Sequence, residues 1–385
     1  MNYANSPKKP FNVVIAGGGV AALEAALALR DFGGERISTT MIAPTPEFVY
    51  RPMSVQEPFG WASAERYLLA DIAQDIGVEL LPDSFKRLDA QKRIVHTEAG
   101  AELAYDALLL APGARMHPRF KHAITVDDGR LDELMHGLVQ DVEGGYVRRL
   151  AFVVPGRMGW PLPVYELALM TAARAYDMNI ELSITIATPE AAPLAIFGLG
   201  ASDAIRRLLE ESGIVTICSA HCEIPGPGRI EFRPGSRELH VDRIVAMPEL
   251  LGPSVPGVPL GSSGGFIPID PQCRVRGLEC VYAAGDAADF AVKHGGIAAQ
   301  QADVAAQSIA ALAGLAAEPP PIHPVIHGML LTGGKPRYLS AQITGGHGSS
   351  SEITDYPTWS PATKITAKYL APYLEAHSPL MAAIK

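Results

Sequence analysis

Phe11-Asn12-Val13-Val14-Ile15-Ala16 runs directly into Gly17-Gly18-Gly19-Val20-Ala21-Ala22, and this junction decides the fold. The first six residues are mostly apolar and rich in β-branched side chains, the composition of a buried strand. The alanine-rich stretch from Leu23 to about Asp31 predicts a helix. Strand, glycine turn and helix form the context in which G-x-G-x-x-G/A marks a dinucleotide site. Gly17 permits the tight turn, Gly19 lets backbone N–H groups approach a pyrophosphate, and Ala22 is small enough for close helix–strand packing. The helix N-terminus then offers unpaired N–H groups and a positive dipole end to the phosphates. A glycine turn without a ligand is the competing reading.

The same pattern recurs further along. Arg36 to Ala43 reads as a second strand, followed by the loop Pro44 to Pro52. Ala107-Leu108-Leu109-Leu110-Ala111-Pro112-Gly113-Ala114 reads as a buried strand ending in a Pro-Gly turn. Leu150 to Val154 opens another strand, with a turn at Pro155-Gly156-Arg157-Met158-Gly159, a helix carrying Glu166, Leu167, Leu169 and Met170, and a strand from Ile180 to Ala187. A strand–turn–helix–strand unit repeated in this way predicts two doubly wound domains. Later come a short strand at Val281 to Ala284 ending in Gly285-Asp286, and a helix from Ile297 to about Leu312 behind Gly295-Gly296. Ala316 to Pro324 reads as a Pro-rich linker. The tail predicts a strand at Tyr338 to Ile343 and a helix with Ser360 as N-cap and Pro361 at its first position.

Composition excludes several classes. With 385 residues, 48% hydrophobic and 19% charged, the chain is an ordinary globular one with length for two or three domains. The net charge of −9 and the lack of a basic stripe argue against nucleic acid. No run reaches the roughly 18 apolar residues of a membrane span. Met1 to Pro10 holds no signal-peptide core, so the expected location is the cytoplasm. The four cysteines, Cys218, Cys222, Cys273 and Cys280, form neither C-x-x-C nor zinc spacing.

Four motifs together resemble the two-dinucleotide-binding-domain flavoproteins: the turn at Gly17 to Ala22, the strand ending Ala111-Pro112-Gly113, Gly285-Asp286, and Pro163-Val164-Tyr165-Glu166. Within the pyridine nucleotide-disulfide oxidoreductase superfamily the chain looks most like sulfide:quinone oxidoreductases, flavocytochrome c sulfide dehydrogenases and type II NADH dehydrogenases. The resemblance covers about residues 11 to 312. It implies an α/β chain of two Rossmann-like doubly wound domains plus a small C-terminal region. An FAD domain would comprise 1–115 and 258–325, a second NAD-like domain 116–257, and the C-terminal region 326–385. It implies FAD held by Gly17, Gly19, Ala22, Ala111, Gly113, Gly285 and Asp286, with Arg51 and Pro52 lining the flavin. The helix opening at Gly295, Gly296 and Ile297 would aim its positive end at the pyrimidine edge, where reduction places negative charge. Lys293 would add a full positive charge and raise the flavin potential, its catalytic contribution. A solvated loop lysine competes with that reading, and for His294 the loop reading is the safer one.

Three departures limit the inference. Ala43 stands where an acidic residue would bind the adenosine ribose. Glu47 is the candidate substitute, without which a contact of roughly 1.5–3 kcal/mol is lost. The second turn has bulky residues where a pyrophosphate must approach, and its following strand ends Ile186-Ala187-Thr188 without an acidic partner. NAD(P)H binding is therefore in question, and a domain retained for packing explains it equally well. Trp160 lies near the place of a redox cysteine, and no cysteine precedes Cys218, which argues against sulfide oxidation.

The tail residues Ile365, Tyr369, Leu370, Tyr373 and Leu374 share one helical face with Lys364 and Lys368 beside it. Core or dimer packing is the commoner use of such a face, and peripheral membrane contact the alternative. The leading expectation is an FAD-dependent oxidoreductase taking electrons from a small donor to a quinone-like or other acceptor. An NAD(P)H-dependent flavin reductase using Gly156, Gly159 and Glu166, or a flavin-binding protein without turnover, are the alternatives.

Overall fold

The computed structural model describes residues 9–261, 264–344 and 347–378. The opening residues 1–8, read above as carrying no leader, lie outside these. Two parallel five-stranded sheets organise the chain. In the first, strands 281–283, 107–110, 11–16, 37–42 and 79–81 lie side by side in that order. Phe11–Ala16 is central, pairing with Ile37–Ile42 on one edge and Ala107–Leu110 on the other. Its apolar run serves both faces, as parallel strands require. Val13 and Ile15 join the core beneath the helices, while Val14 and Ala16 join Leu88, Val95 and Tyr105 on the opposite side.

Seven α-helices occur among the described residues: α1 (Val20–Gly33), α2 (Leu69–Ile76), α3 (Leu131–Glu143), α4 (Leu162–Asp177), α5 (Leu199–Glu211), α6 (Gly295–Leu312) and α7 (Leu370–His377). Helices α1 and α6 pack side by side over the first sheet through alanines, including Ala22, Ala25, Ala302 and Ala305, all fully buried. Small side chains permit that close approach. The second sheet runs 124–125, 243–246, 149–153, 183–187, 214–217. Helices α3, α4 and α5 cover one face through Met135, Tyr165 and Ile205, and an antiparallel meander of 221–226, 229–233 and 238–240 covers the other through Ile224, Ile230 and Phe232.

A third, antiparallel sheet of 325–330, 337–344 and 347–354 follows the linker. Its middle strand is the one anticipated at Tyr338 to Ile343. The expected helix from Ser360 and Pro361 does not form, and α7 begins only at Leu370. Long-range bonds capture the intervening backbone. The N–H of Ile365 donates to Tyr50 OH at 2.9 Å, and those of Tyr369 and Leu370 donate to the buried Glu24 carboxylate. Those donors are spent on other elements, so helical propensity is overridden. Ile365, Leu370 and Leu374 pack into the first core, which makes the apolar face of the tail an internal one. No helix among the described residues is long and apolar enough to cross a membrane.

Candidate active site

The first glycine turn has the geometry its sequence requires. Gly17 sits at φ +137°, and a Cβ there would stand 2.1 Å from the Ala111 carbonyl oxygen, so no larger residue fits. The turn is locked on both sides, by Gly17 N–H to the Ile42 carbonyl at 2.9 Å and by Ala111 N–H to the Ala16 carbonyl at 2.8 Å. Gly19 is the N-cap of α1 and provides no side-chain cap, and a Cβ on it would meet nothing within 4 Å. The first N–H groups of α1 are therefore bare toward open space. Ala22 is fully buried against the strand, and Gly113 turns the chain away at φ +76°.

Gly285 brings the last strand of this sheet to the same place. At φ +74° it lies against Ala21 of α1, where a Cβ would approach the Ala21 methyl to 3.2 Å, and its N–H donates to Gln301 Oε1 of α6. Asp286 follows. Its carboxyl pKa is raised by burial, an effect the nearby Lys293 charge opposes.

A cavity of about 200 Å³ opens beyond Asp286, between the two parallel sheets and the C-terminal segment. Arg51, Pro52, Asp286, Lys293 and Gly295 form one part of its wall, bringing together five of the residues singled out above. Gly296 and Ile297 complete the first turn of α6 behind it. Soft apolar side chains cover much of the rest, with Met158, Trp160 and Met247 from the second sheet's loops and Met329 from the third. Arg51 reaches across to Asp128 at 3.0 Å, and burial raises the Asp128 pKa against that pull.

Lys293 is 8% exposed and not a solvated loop residue. Its Nζ donates to the carbonyls of Ala288 and Asp286 and lies 3.7 Å from the Phe266 ring centroid. Burial brings its pKa down to about 8, against the pull of Asp286 and Asp289. His294 is likewise no loop histidine. It is buried as the N-cap residue of α6, with its ring 4.4 Å from that of Trp160. Burial, aided by the charges of His327 and Lys364, holds its pKa down to about 3, so it is neutral.

The sequence reading missed one pair. Lys364 and Glu166 are both buried in the cavity wall, 2.7 Å apart. Lys364 Nζ also donates to the Pro52 carbonyl, and Glu166 accepts the Leu331 N–H. Burial pushes the Glu166 pKa up and the Lys364 pKa down, and mutual attraction opposes both shifts. From the sequence alone, Lys364 stands only beside an apolar helical face, with no partner. The signal that places it inside is a contact 198 residues away in sequence, which no local pattern carries.

Glu47 lies apart from this cavity. It opens the strand 47–49 and pairs with Arg66 at 3.2 Å. The second glycine turn is filled by protein. A Cβ on Gly159 would stand 2.7 Å from Lys293 Cγ, so this glycine makes room for the loop before α6. Glu190, just past the strand 183–187, is occupied by Tyr165 OH at 2.7 Å and Thr188 Oγ1 at 2.9 Å. No cysteine lines the cavity, and Cys222 and Cys273 are buried thiols whose pKa burial raises to about 12.

Comparison with known proteins agrees with this layout. Residues 11–138 match the family model described as pyridine nucleotide-disulphide oxidoreductase. The sulfide-quinone reductase of Aquifex aeolicus (strain VF5) is 22% identical over 258 residues, covering 63% of this chain and 60% of that protein. The match thus spans less than two thirds of the relative's length. The crystal structure of the sulfide:quinone oxidoreductase from Aquifex aeolicus superposes with a TM-score of 0.80 at 18% identity, over 90% of this chain and 87% of that one. An NAD-dependent persulfide reductase from A. fulgidus superposes with a TM-score of 0.63 at 18% identity, over 88% and 65%. At these identities the structures establish a shared fold, and the likeness to the pyridine nucleotide-disulphide oxidoreductase model rests on residues 11–138.

Proposed function

We propose that this chain is an FAD-dependent oxidoreductase that passes an electron pair from a small donor to a quinone-like or other acceptor without redox cysteines. The observation that carries the reading is the cavity joining Asp286, Lys293 and the start of α6 to a wall of methionine, tryptophan and aliphatic side chains that holds no cysteine. The residues fit the cofactor. Open space at Gly19 and the uncapped start of α1 suit a pyrophosphate, and Asp286 would accept hydrogen bonds from ribityl hydroxyls. Bound FAD supplies reversible two-electron chemistry. Arg51 and Pro52 would wall the isoalloxazine, and Lys293 with the α6 N-terminus would favour negative charge beside it. Glu47 would serve the adenosine ribose only by sharing its carboxylate with Arg66. This reading takes 1–115 with 258–325 as the flavin unit and 116–257 as the second unit.

The donor reading rests on what the second unit has lost. Gly159 is packed on Lys293, and Glu190 is bound to Tyr165 and Thr188, so neither is free for a nicotinamide nucleotide. Trp160 occupies the wall where a sulfide-oxidising enzyme would need a thiol. The test is a visible spectrum of the purified protein followed by anaerobic addition of NADH, NADPH and sulfide. A flavin band that none of them bleaches quickly, but that a soluble quinone restores after dithionite reduction, is the expected result. Fast bleaching by NADH would overturn the donor reading, and a colourless protein would overturn the cofactor reading.

A further inference from the structure

A second polar pocket, of about 240 Å³, lies on the far side of the α6 N-terminus, between α6 and the C-terminal segment. Asp303, His327, Thr366 and Lys368 line it, and the exposed Lys368 marks its solvent rim. Four buried polar atoms along this face have no hydrogen-bond partner among the described residues: His294 Nδ1, Thr366 Oγ1, Asp303 Oδ1 and His327 Nδ1. Buried polar atoms are rarely left unpaired, and a cluster of them marks ordered water. His294 belongs to the wall of the flavin cavity and Thr366 to that of the second pocket. The two meet at Gly296, where a Cβ would stand 2.8 Å from Thr366 Oγ1 and 3.3 Å from His294 Nδ1. They are therefore near enough for one water to bridge them.

We propose that His294, Thr366 and Asp303, joined by ordered water past Gly296, form a proton path between the flavin cavity and solvent. This rests on the flavoprotein reading above. Two-electron reduction of an oxidised flavin takes up at least one proton, and His294 stands in the cavity wall with an unpaired Nδ1. A neutral donor SH2 that gives a hydride to the flavin and leaves as neutral S must also release a proton, which leaves by the same route in reverse. A neutral imidazole suits this task, since it has one donor and one acceptor nitrogen and passes a proton without storing it. The hydroxyl of Thr366 accepts and donates in the same way. Asp303, whose pKa burial and Glu24 push up to about 8, exchanges protons near neutral pH.

The test uses Thr366→Val, which removes the hydroxyl at constant shape, with Thr366→Ser and Asp303→Asn beside it. The holoprotein is reduced by dithionite in a stopped-flow instrument, in H2O and in D2O. Thr366→Val is expected to keep its flavin content but to bleach about tenfold more slowly, with a solvent isotope effect the parent lacks, and Thr366→Ser to restore the parent rate. Asp303→Asn should slow bleaching in the same direction. Unchanged rates and isotope effects in both Thr366→Val and Asp303→Asn would overturn the path. A high-resolution crystal structure tests the site without any turnover. Water bonded to both His294 Nδ1 and Thr366 Oγ1 supports the path, and a dry gap overturns it. Absence of flavin, visible in the spectrum beforehand, would instead overturn the functional reading.

Discussion

Lys364 Nζ stands 2.7 Å from Glu166 Oε1 in the cavity wall, tying the C-terminal segment to α4. Their side chains are 4% and 1% exposed, so neither charge is solvated. Such a pair adds little net stability compared with an apolar one, yet removing a single partner strands a buried charge. Lys364→Met is therefore expected to lower the unfolding midpoint by the equivalent of ~3–5 kcal/mol. The double variant Lys364→Met with Glu166→Gln should recover much of that loss. Urea unfolding of the parent and the two variants checks this, and a double variant no better than Lys364→Met alone would show that the ion pair is not the cause.

Gly17 and Gly19 are two residues apart and constrained for different reasons. At Gly17 the obstacle is protein, because a Cβ would lie 2.1 Å from the Ala111 carbonyl oxygen and φ is +137°. At Gly19 φ is −93° and a Cβ meets nothing. Gly17→Ala should thus lower the melting temperature and lose flavin together. Gly19→Ala should melt like the parent apoprotein yet bind FAD at least ~10-fold more weakly, because the methyl group would enter the space proposed for the pyrophosphate. Thermal melts of the apoproteins with FAD titrations separate the two effects.

Lys293 offers a test of cofactor tuning. If the proposed flavin placement holds, its positive charge should favour the reduced form, so Lys293→Met is expected to lower the midpoint potential by ~30 mV or more, about 1.4 kcal/mol for a two-electron couple. With its pKa near 8, the ammonium is charged at pH 7 and loses its proton as the pH rises past that value. The parent and variant potentials should therefore diverge at pH 6–7 and converge by about pH 9–10. A constant difference across that range would mean that the effect is steric.

The pieces legible in the sequence are those whose cause is local. Gly17, Gly285 and the strand–turn–helix junctions could be read because a positive φ or a two-sided apolar strand leaves its mark within a few residues. The start of α6 could be placed to within two residues for the same reason. Lys364 and His294 could not be read. Their burial depends on where Glu166 and Trp160 arrive in three dimensions, and an isolated lysine or histidine in a loop carries no sign of that. The tail misled for a related reason. The Ser-Pro start and the apolar spacing were real helix signals, but Tyr50 and Glu24 took the backbone N–H groups that the helix would have used.

Glu24 also sets the pH response. Its carboxylate on α1 accepts the Tyr369 and Leu370 N–H groups, and burial raises its pKa. Asp303 on α6 stands beside it, and burial followed by the Glu24 charge pushes its pKa up to about 8, from 3.8 in the unfolded chain. The folded protein therefore holds a proton that the unfolded chain gives up above pH 4. By linkage this stabilisation is fully present below pH 3.8 and is lost as the pH climbs through about 8. The contribution of this pair to the melting temperature should fall by several degrees between pH 5 and 9. Asp303→Asn stays neutral throughout, so it should flatten the profile and melt higher than the parent at pH 9. Glu24→Gln removes the same repulsion but weakens the acceptor for the tail, so it should expose the segment around Tyr369 to protease even at pH 6. Parallel pH profiles for the parent and Asp303→Asn would sink the shared-proton account.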